Sequence, residues 1–219
     1  MAAPIRQVDH RDVERALLAA GWTPCGAGDW AIVLRSPDGT RAARISPFDP
    51  AGPYNAALHV QAAHTRRVPE LYAHLRLLGG GDLQVMEWLR PVAEDEAAAV
   101  HRAIARRAPE VAELVDVVSR VHEQARRELP WCGPLDSNPS NVMRAADGRL
   151  VVFDLFYADG PRLYASAATD PDLVVAKIPR AEREFMAEIP LAASGPWAPG
   201  EKEALRAGLA AADARTATA

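Results

Sequence analysis

The sequence has few of the residues that stabilise small secreted proteins or bind metals through sulfur. It contains only two cysteines in 219 residues, Cys25 and Cys132, too few for a disulfide framework or a cysteine-rich zinc site. A chain of this length can bury a core without disulfides, so we expect reduced thiols. No apolar run in the sequence approaches the ~18 residues that a membrane span needs.

Lysine is equally scarce. Lys177 and Lys202 are the two lysines, and the other 23 basic residues are arginine. Together with abundant alanine, this bias is typical of a GC-rich bacterial coding sequence, in which arginine can stand where other proteins carry lysine. The net charge of −4 argues against a nucleic-acid binder that depends on broad positive charge. The first residues lack the apolar segment of a secretory signal, so we expect a cytoplasmic protein without a membrane partner.

Apolar patterning predicts a sheet in the first part of the chain. A helix over 10–20 precedes a hairpin over 22–46, whose turn contains Pro and Gly. An alanine-rich helix is predicted over 54–66. It is followed by a second hairpin with strands over 71–78 and 83–89, separated by three glycines and an aspartate.

The pattern changes to mainly helical after Pro91. Apolar residues recur at helical spacing, and the predicted helices cover 94–107, 109–128, 170–187 and 200–214. The segment 178–190 is itself helix-like, with strong charge on one face. Two short strands are predicted over 141–144 and 150–153.

The most informative polar segment is 136–141, which reads Asp-Ser-Asn-Pro-Ser-Asn. Thirteen residues after Asn141, Asp154 ends an apolar strand, so two carboxylates and one amide are expected near adjacent strand ends. Oxygen ligands of this kind suit Mg²⁺, which takes its other ligands from phosphates and water. A carboxylate that is not coordinated can accept a hydroxyl proton. Taken singly, a loop aspartate, an Asx-turn and a strand-end aspartate would be ordinary structural features.

This segment resembles the protein-kinase-like superfamily, especially its aminoglycoside-phosphotransferase-like branch. That branch carries a loop similar to H-G-D-x-x-x-x-N, then a short hairpin and a strand that ends in aspartate. The resemblance implies that Asp136 is the catalytic aspartate, that Asn141 is a metal ligand and that Asp154 binds Mg²⁺. Two positions depart from the pattern: Pro134 replaces the histidine, and Leu-Phe follows Asp154 in place of Phe-Gly.

The first hairpin carries two further resemblances to the same superfamily. Gly26, Ala27 and Gly28 begin a match to the phosphate-binding loop G-x-G-x-x-G-x-V, with alanine at its third glycine. Arg44 stands at the lysine position of the V-A-I-K strand. The resemblance implies that ATP lies beneath this loop, and Trp30 is a candidate to cover the nucleotide.

Residues 85–89 resemble the hinge strand of kinases, and adenine would bond to backbone groups near Glu87 and Leu89. In kinases the strand lysine pairs with a glutamate on the inserted helix. Here residues 54–66 contain neither Asp nor Glu. The partner of Arg44 is therefore Asp49, Glu70 or no residue.

The ordered motifs predict an α+β, bilobal protein-kinase-like fold. Residues 1–89 would form an N-lobe with an antiparallel sheet and one inserted helix, and residues 90–219 a short, mostly helical C-lobe. The implied function is an ATP- and Mg²⁺-dependent phosphotransferase that moves the γ-phosphoryl group to a hydroxyl acceptor, with a small molecule slightly favoured over a protein. A protein partner could complete the short C-lobe.

Three alternatives remain open at this point. The chain could be a pseudokinase, a nucleotide-binding or partner-binding module without turnover. The same pocket could transfer another part of the nucleotide, such as AMP. The chain could also be an unrelated α+β domain in which the motif matches are accidental.

Overall fold

The N-terminal part of the protein is built on an antiparallel sheet. The computed structural model describes residues 8–217, so the first residues, considered above for a secretory signal, lie outside the described range. Helix α1 (His10–Ala19) begins after Asp9, whose carboxylate accepts the Asp12 N–H and caps the helix. Val13 of this helix is buried in the core cluster on one side of the sheet.

Five strands form the sheet in the order β1-β2-β3-β5-β4, and all neighbours are antiparallel. Their bounds are β1 (Thr23–Ala27), β2 (Ile32–Arg35), β3 (Arg41–Ser46), β4 (Leu71–Arg76) and β5 (Asp82–Glu87). Helix α2 (Gly52–Ala62) follows β3 and runs into a 3-10 turn (Ala63–Thr65). Both predicted hairpins and the inserted helix are therefore confirmed, and β1 adds an edge strand.

Two residues, Trp88 and Leu89, connect the sheet to the rest of the chain. The next strand, β6 (Arg90–Pro91), pairs with β8 (Val142–Arg144), which in turn pairs with β9 (Leu150–Val152). The lobe boundary that we predict at residue 89 falls in this connection and stays a prediction.

The second part of the chain is mostly helical. Its helices are α3 (Glu94–Ala105), α4 (Ala112–Glu128), α5 (Gly160–Thr169), α6 (Pro171–Lys177) and α7 (Glu201–Ala217). Two short strands, β7 (Cys132–Leu135) and β10 (Phe156–Ala158), pair with each other. No helix within residues 8–217 is both long and apolar enough to cross a membrane.

Helix α4 organises the largest core cluster. Its buried residues follow helical spacing: Leu114, Val115, Val117, Val118, Val121 and Ala125. The same cluster contains Leu58 from α2 and Phe156 from β10, so one core joins the inserted helix to the segment that follows Asp154. The predicted α+β class, with one inserted helix beside the sheet and a mainly helical remainder, is confirmed.

The helix predicted over 170–187 is wrong beyond residue 177. Helix α6 ends there because Ile178 precedes Pro179, and a residue before proline is biased away from the helical conformation. The segment 178–190, expected to be helix-like, contains only two 3-10 turns (Arg180–Glu182 and Met186–Glu188).

Helix α5 and strands β7 and β10 were not predicted from the pattern. The start of α5 nevertheless carries ordinary signals, because Asp159 caps the helix by accepting the Arg162 N–H and a proline occupies its first turn. Strand β7 contains Gly-Pro, which is atypical of a strand.

Candidate active site

Asp136 lies just after β7 and is fixed by three hydrogen bonds. Its backbone N–H donates to the Leu155 carbonyl (2.9 Å), which ties the loop to the segment after Asp154. Its carboxylate accepts the Asn138 N–H through Oδ1 and the Asn141 side-chain N–H through Oδ2, both at 2.9 Å. The loop thus brings the first and last residues of the predicted motif into direct contact.

The local fold of this loop follows from its sequence. The Asn138 side chain accepts the Ser140 N–H (3.0 Å), and Pro139 starts a 3-10 turn that ends at Asn141. The Asn141 carbonyl accepts the Phe153 N–H (3.1 Å). That bond joins the loop to the residue before Asp154, so both motif segments meet at one place.

Asp154 lies between β9 and β10 and is contacted from two sides. Its Oδ1 accepts a hydrogen bond from Asn55 Nδ2 (2.7 Å), and its Oδ2 lies 3.7 Å from Arg44 Nη2. Burial raises the pKa of Asp154 to about 7; Arg44 opposes this rise, while Asp49 and Asp136 add to it.

Arg44, at the predicted phosphate-contacting position on β3, pairs with Asp49. Its Nη1 lies 2.7 Å from Asp49 Oδ2. Burial alone would lower the pKa of Arg44, but Asp49 and Asp154 raise it overall, so the guanidinium stays charged. Glu70, the other partner considered, instead accepts a hydrogen bond from the Tyr72 hydroxyl (3.2 Å).

A cavity of about 270 Å³ lies between the sheet and the second part of the chain. Most of its lining is apolar, and Arg44, Glu87 and Ser140 are the polar exceptions. The complete lining is Cys25, Gly26, Val33, Ala42, Arg44, Met86, Glu87, Trp88, Leu89, Ser140, Met143 and Phe153. Ala27 and Gly28, also predicted to bind nucleotide, lie outside this lining. A larger cavity of about 520 Å³ beside Arg183 contacts none of the predicted site residues.

The connection after β5 offers one main-chain donor to a ligand. The Glu87 N–H donates to the Glu70 carbonyl (3.1 Å), and the Trp88 N–H donates to the Thr40 carbonyl (2.8 Å). Within residues 8–217, the Leu89 N–H has no such partner. Leu89 lines the cavity. Its backbone N–H is therefore the group in this connection that could donate a hydrogen bond to a base bound there.

The tip of the glycine loop is bound to a distant segment. Asp29 Oδ1 accepts the N–H groups of Ala193 and Ser194 (2.8 Å each), and Oδ2 accepts the Ser194 hydroxyl (2.6 Å). The Leu191 N–H also donates to the Asp29 carbonyl (3.1 Å). We call residues 191–194 the tip-binding segment. Nothing in the local sequence indicates this contact, because Asp29 and Ser194 are 165 positions apart.

Trp30, a candidate to cover a nucleotide, does not line the cavity and instead packs against other aromatic residues. Its ring centroid lies 6.2 Å from that of Phe48 and 6.3 Å from that of Tyr164. It is partly buried and packs against a core cluster that includes residues of α5, α6 and α7. Trp30 therefore anchors the glycine loop to the second part of the chain.

The residues present suit a magnesium ion bound together with phosphates. Asn141 uses its amide nitrogen on Asp136, which leaves its amide oxygen for a ligand. Asp154 uses Oδ1 on Asn55, which leaves Oδ2. No group of three His, Cys, Asp or Glu residues that could hold a metal occurs in the described range, but Mg²⁺ needs only one or two carboxylates when phosphates and water complete its shell.

Comparisons with known proteins identify no relative by sequence: no protein-family model matches the chain, and no curated protein does. Among solved structures, it is similar to macrolide 2'-phosphotransferase MphH from Brachybacterium faecium (13% identity, 94% of this chain and 93% of that one, TM-score 0.36). It is also similar to an aminoglycoside phosphotransferase, APH(3'')-Id, from Streptomyces rimosus (17%, 94% and 99%, TM-score 0.33). A third match is the PknI kinase domain of Mycobacterium tuberculosis (14%, 88% and 96%, TM-score 0.32).

The described residues themselves form a five-stranded antiparallel sheet with one inserted helix, and the two motif segments meet beside the cavity. Sequence reasoning missed Asn55 and Asp29 as members of this arrangement. Asn55 is neutral and lies in an alanine-rich helix, so no charge pattern marks it.

Proposed function

We propose that this protein binds ATP with Mg²⁺ in the 270 Å³ cavity and transfers the γ-phosphoryl group to a hydroxyl acceptor. The observation that supports this proposal is the direct hydrogen-bonded contact between the two motif segments, in which Asn141 bonds to Asp136 through its side chain and to Phe153 through its backbone. Ser140 and Phe153, the neighbours of Asn141 and Asp154, line the cavity itself.

Asp136 is the proposed catalytic residue. Phosphoryl transfer requires mainly that the reactants are positioned and that charge is stabilised. A carboxylate held by two hydrogen bonds can orient the acceptor hydroxyl and accept its proton. Asn141 would keep that carboxylate in place while its amide oxygen faces the metal.

Asp154 Oδ2 and the Asn141 amide oxygen would hold the metal ion. Bound Mg²⁺ would neutralise charge on the ATP phosphates. Arg44 lines the cavity and keeps one nitrogen on Asp49, so its remaining N–H groups are the proposed contacts to phosphate. Gly26 in the cavity wall lets backbone approach the nucleotide closely, since it carries no side chain.

The adenine ring would lie between the apolar walls of the cavity. Val33 and Ala42 belong to the sheet side of this cavity, and Met143 and Phe153 to the opposite part of the chain. The Leu89 N–H would donate to the ring. The Glu87 side chain accepts the Glu70 N–H (2.8 Å), so any contact from Glu87 to adenine would come from its backbone.

A nucleotide-binding or partner-binding module without turnover is the second candidate. The observation in its favour is the engagement of Arg44 in a buried ion pair with Asp49, a residue of the loop before α2. Helix α2 itself carries no acidic residue. A cation held in this way binds phosphate without the geometry that a lysine would give.

Calorimetry with and without Mg²⁺ tests the proposal when it is combined with assays of nucleotide products on the same sample. We expect Mg²⁺-dependent ATP binding and slow ADP release that an added hydroxyl acceptor accelerates. Asp154→Asn should abolish the Mg²⁺ dependence of binding, and Asp136→Asn should retain binding but lose turnover.

Other outcomes would favour other functions. Pyrophosphate release would indicate transfer of AMP. Binding without any product would favour the module, and no nucleotide binding would contradict both functions.

A further inference from the structure

Asn55 makes a set of contacts that the proposed reaction has not yet used. It lies in the first turn of α2 and is only 3% exposed. Its Nδ2 donates to Asp154 Oδ1 (2.7 Å) and to the Phe156 carbonyl (2.9 Å), and its Oδ1 accepts the Phe156 N–H (3.2 Å). One side chain thus holds both the carboxylate of Asp154 and the backbone two residues later.

The pattern of these bonds requires an amide. A side-chain amide offers two N–H donors and an acceptor oxygen, and Asn55 uses both kinds of group. A carboxylate at this position would lose both donors and place negative charge beside Asp154. Alanine would leave buried polar groups of Phe156 without partners, and each such group costs about 1–3 kcal/mol.

The contact selects which oxygen of Asp154 is available. Asn55 occupies Oδ1, and Oδ2 is the oxygen that lies near Arg44 (3.7 Å). Rotation of the carboxylate would break the 2.7 Å bond to Asn55. The orientation of Asp154 therefore depends on the position of α2.

The start of α2 is fixed to the same site by a second route. Asp49 Oδ1 accepts the N–H groups of Ala51 and Gly52 (3.0 and 2.8 Å), while its Oδ2 pairs with Arg44. Arg44 thus contacts Asp49, Asp49 contacts the start of α2, and Asn55 of α2 contacts Asp154. Because Arg44 also lies 3.7 Å from Asp154, these contacts form a closed ring. A shift of α2 would disturb both charged groups together.

We infer that Asn55 is a positioning residue for metal binding in the proposed reaction. It holds Asp154 so that Oδ2 faces the metal, and it makes the metal affinity of the site depend on α2. This inference rests on the proposed function, since it assigns Asn55 a role at the same site.

The test compares ATP binding at several Mg²⁺ concentrations in Asn55→Asp, Asn55→Ala and a matched control, His59→Gln. His59 lies one turn further along α2, is also buried, and donates to the Phe153 carbonyl (2.9 Å) without contacting Asp154. Glutamine can keep that bond. Urea unfolding of each variant separates loss of stability from loss of metal affinity, and Asn55→Asp nearly preserves the side-chain volume.

We expect the apparent Mg²⁺ affinity, measured through ATP binding, to be about 10–100-fold lower in both Asn55 variants. A loss of this size is typical when a partner of a metal ligand is removed. The Asp variant should have the larger effect. ATP binding without metal should be unchanged, and His59→Gln should retain the wild-type Mg²⁺ dependence.

Three results would overturn the inference, and they distinguish its failure from that of the proposed function. Wild-type protein that binds Mg²⁺-ATP, together with folded Asn55 variants of unaltered Mg²⁺ dependence, would contradict the role of Asn55 alone. Equal losses in the His59 control would do the same, because they would reflect damage to α2. Wild-type protein without any Mg²⁺-dependent binding would contradict the proposed function, and the inference with it.

Discussion

Arg44 Nη1 lies 2.7 Å from Asp49 Oδ2, and the two side chains are only 12% and 5% exposed. Because Asp49 also caps α2, this ion pair joins the central strand of the sheet to the helix that contacts Asp154. The cation at the cavity wall is therefore part of the framework of the protein as well as a candidate contact for phosphate.

Removal of the Arg44 charge should destabilise the fold. Arg44→Met would leave Asp49 buried without its partner, and the loss of one member of a buried pair typically costs about 3–5 kcal/mol. Urea denaturation measures this change. Arg66→Met is the matched control, because Arg66 is 72% exposed in its pair with Asp147, and an exposed pair contributes about 0–1 kcal/mol. Equal losses in the two variants would contradict the prediction.

Substitution of Asp136 should separate binding from catalysis. Asp136→Asn keeps an oxygen for the Asn138 N–H but removes the proton acceptor, so turnover should fall by about 10²–10⁴-fold at nearly unchanged ATP affinity. Product formation and calorimetry on one preparation check both parts. Asp147→Asn, in the turn between β8 and β9, is the control and should retain turnover. Full activity in Asp136→Asn would refute the assigned role.

His59 should make the stability of the protein sensitive to acid. The pKa of His59 is lowered from 6.5 to about 4, mainly by burial; Arg44 and His74 add to this decrease, and the bond to the Phe153 carbonyl opposes it. Between these pH values the unfolded chain binds more protons than the folded one. The stability that neutral His59 contributes to the fold is therefore fully present above pH 6.5 and is lost as the pH falls towards 4.

The corresponding variant is His59→Gln, which cannot titrate. Its free energy of unfolding should depend less on pH between 6.5 and 4 than that of the wild type, by up to about 3 kcal/mol over the interval. Urea denaturation in a series of buffers gives both curves. Parallel curves for variant and wild type would show that His59 does not titrate in this range.

Loss of the Asp29 carboxylate should release the tip of the glycine loop. Asp29→Ala removes three hydrogen bonds to the tip-binding segment, so amide exchange of residues 28–30 and 191–194 should accelerate. Asp38→Ala is a matched control, since Asp38 also accepts three hydrogen bonds, from Ser36 and Thr40 in the turn between β2 and β3. Exchange at residues 191–194 should not change in the control, and unchanged exchange in Asp29→Ala would disprove the prediction.

Much of the fold could be predicted because local signals agree with tertiary packing. The apolar residues of α4 recur at helical spacing, and their burial matches that pattern. The turn at 36–39 contains Pro and Gly and joins two paired strands. The same locality explains why residues 136–141 could be identified as a loop, since their Asx-type bonds connect close neighbours.

The remaining contacts of the site depend on long-range packing that no local pattern encodes. Asn55 becomes informative only when residues 154–156, about a hundred positions later, come to lie against it. The segment 178–190 has the charge pattern of a helix, but Pro179 interrupts it. Within this segment, buried Arg183 forms an ion pair with Asp213 of α7. Tertiary contacts prevailed there over local helix preference.

The separation of Asp29 from its partners also determines when the tip of the glycine loop can be anchored during synthesis. Ser194 follows Asp29 by 165 positions, so the strands of the sheet leave the ribosome long before the tip-binding segment exists. The N-terminal part of a protein is made first and can begin to fold first, so we expect the strands of the sheet to pair while the tip of the glycine loop has no anchor. The tip of the glycine loop would then be anchored only after residues 191–194 have been made, well after the strands of the sheet.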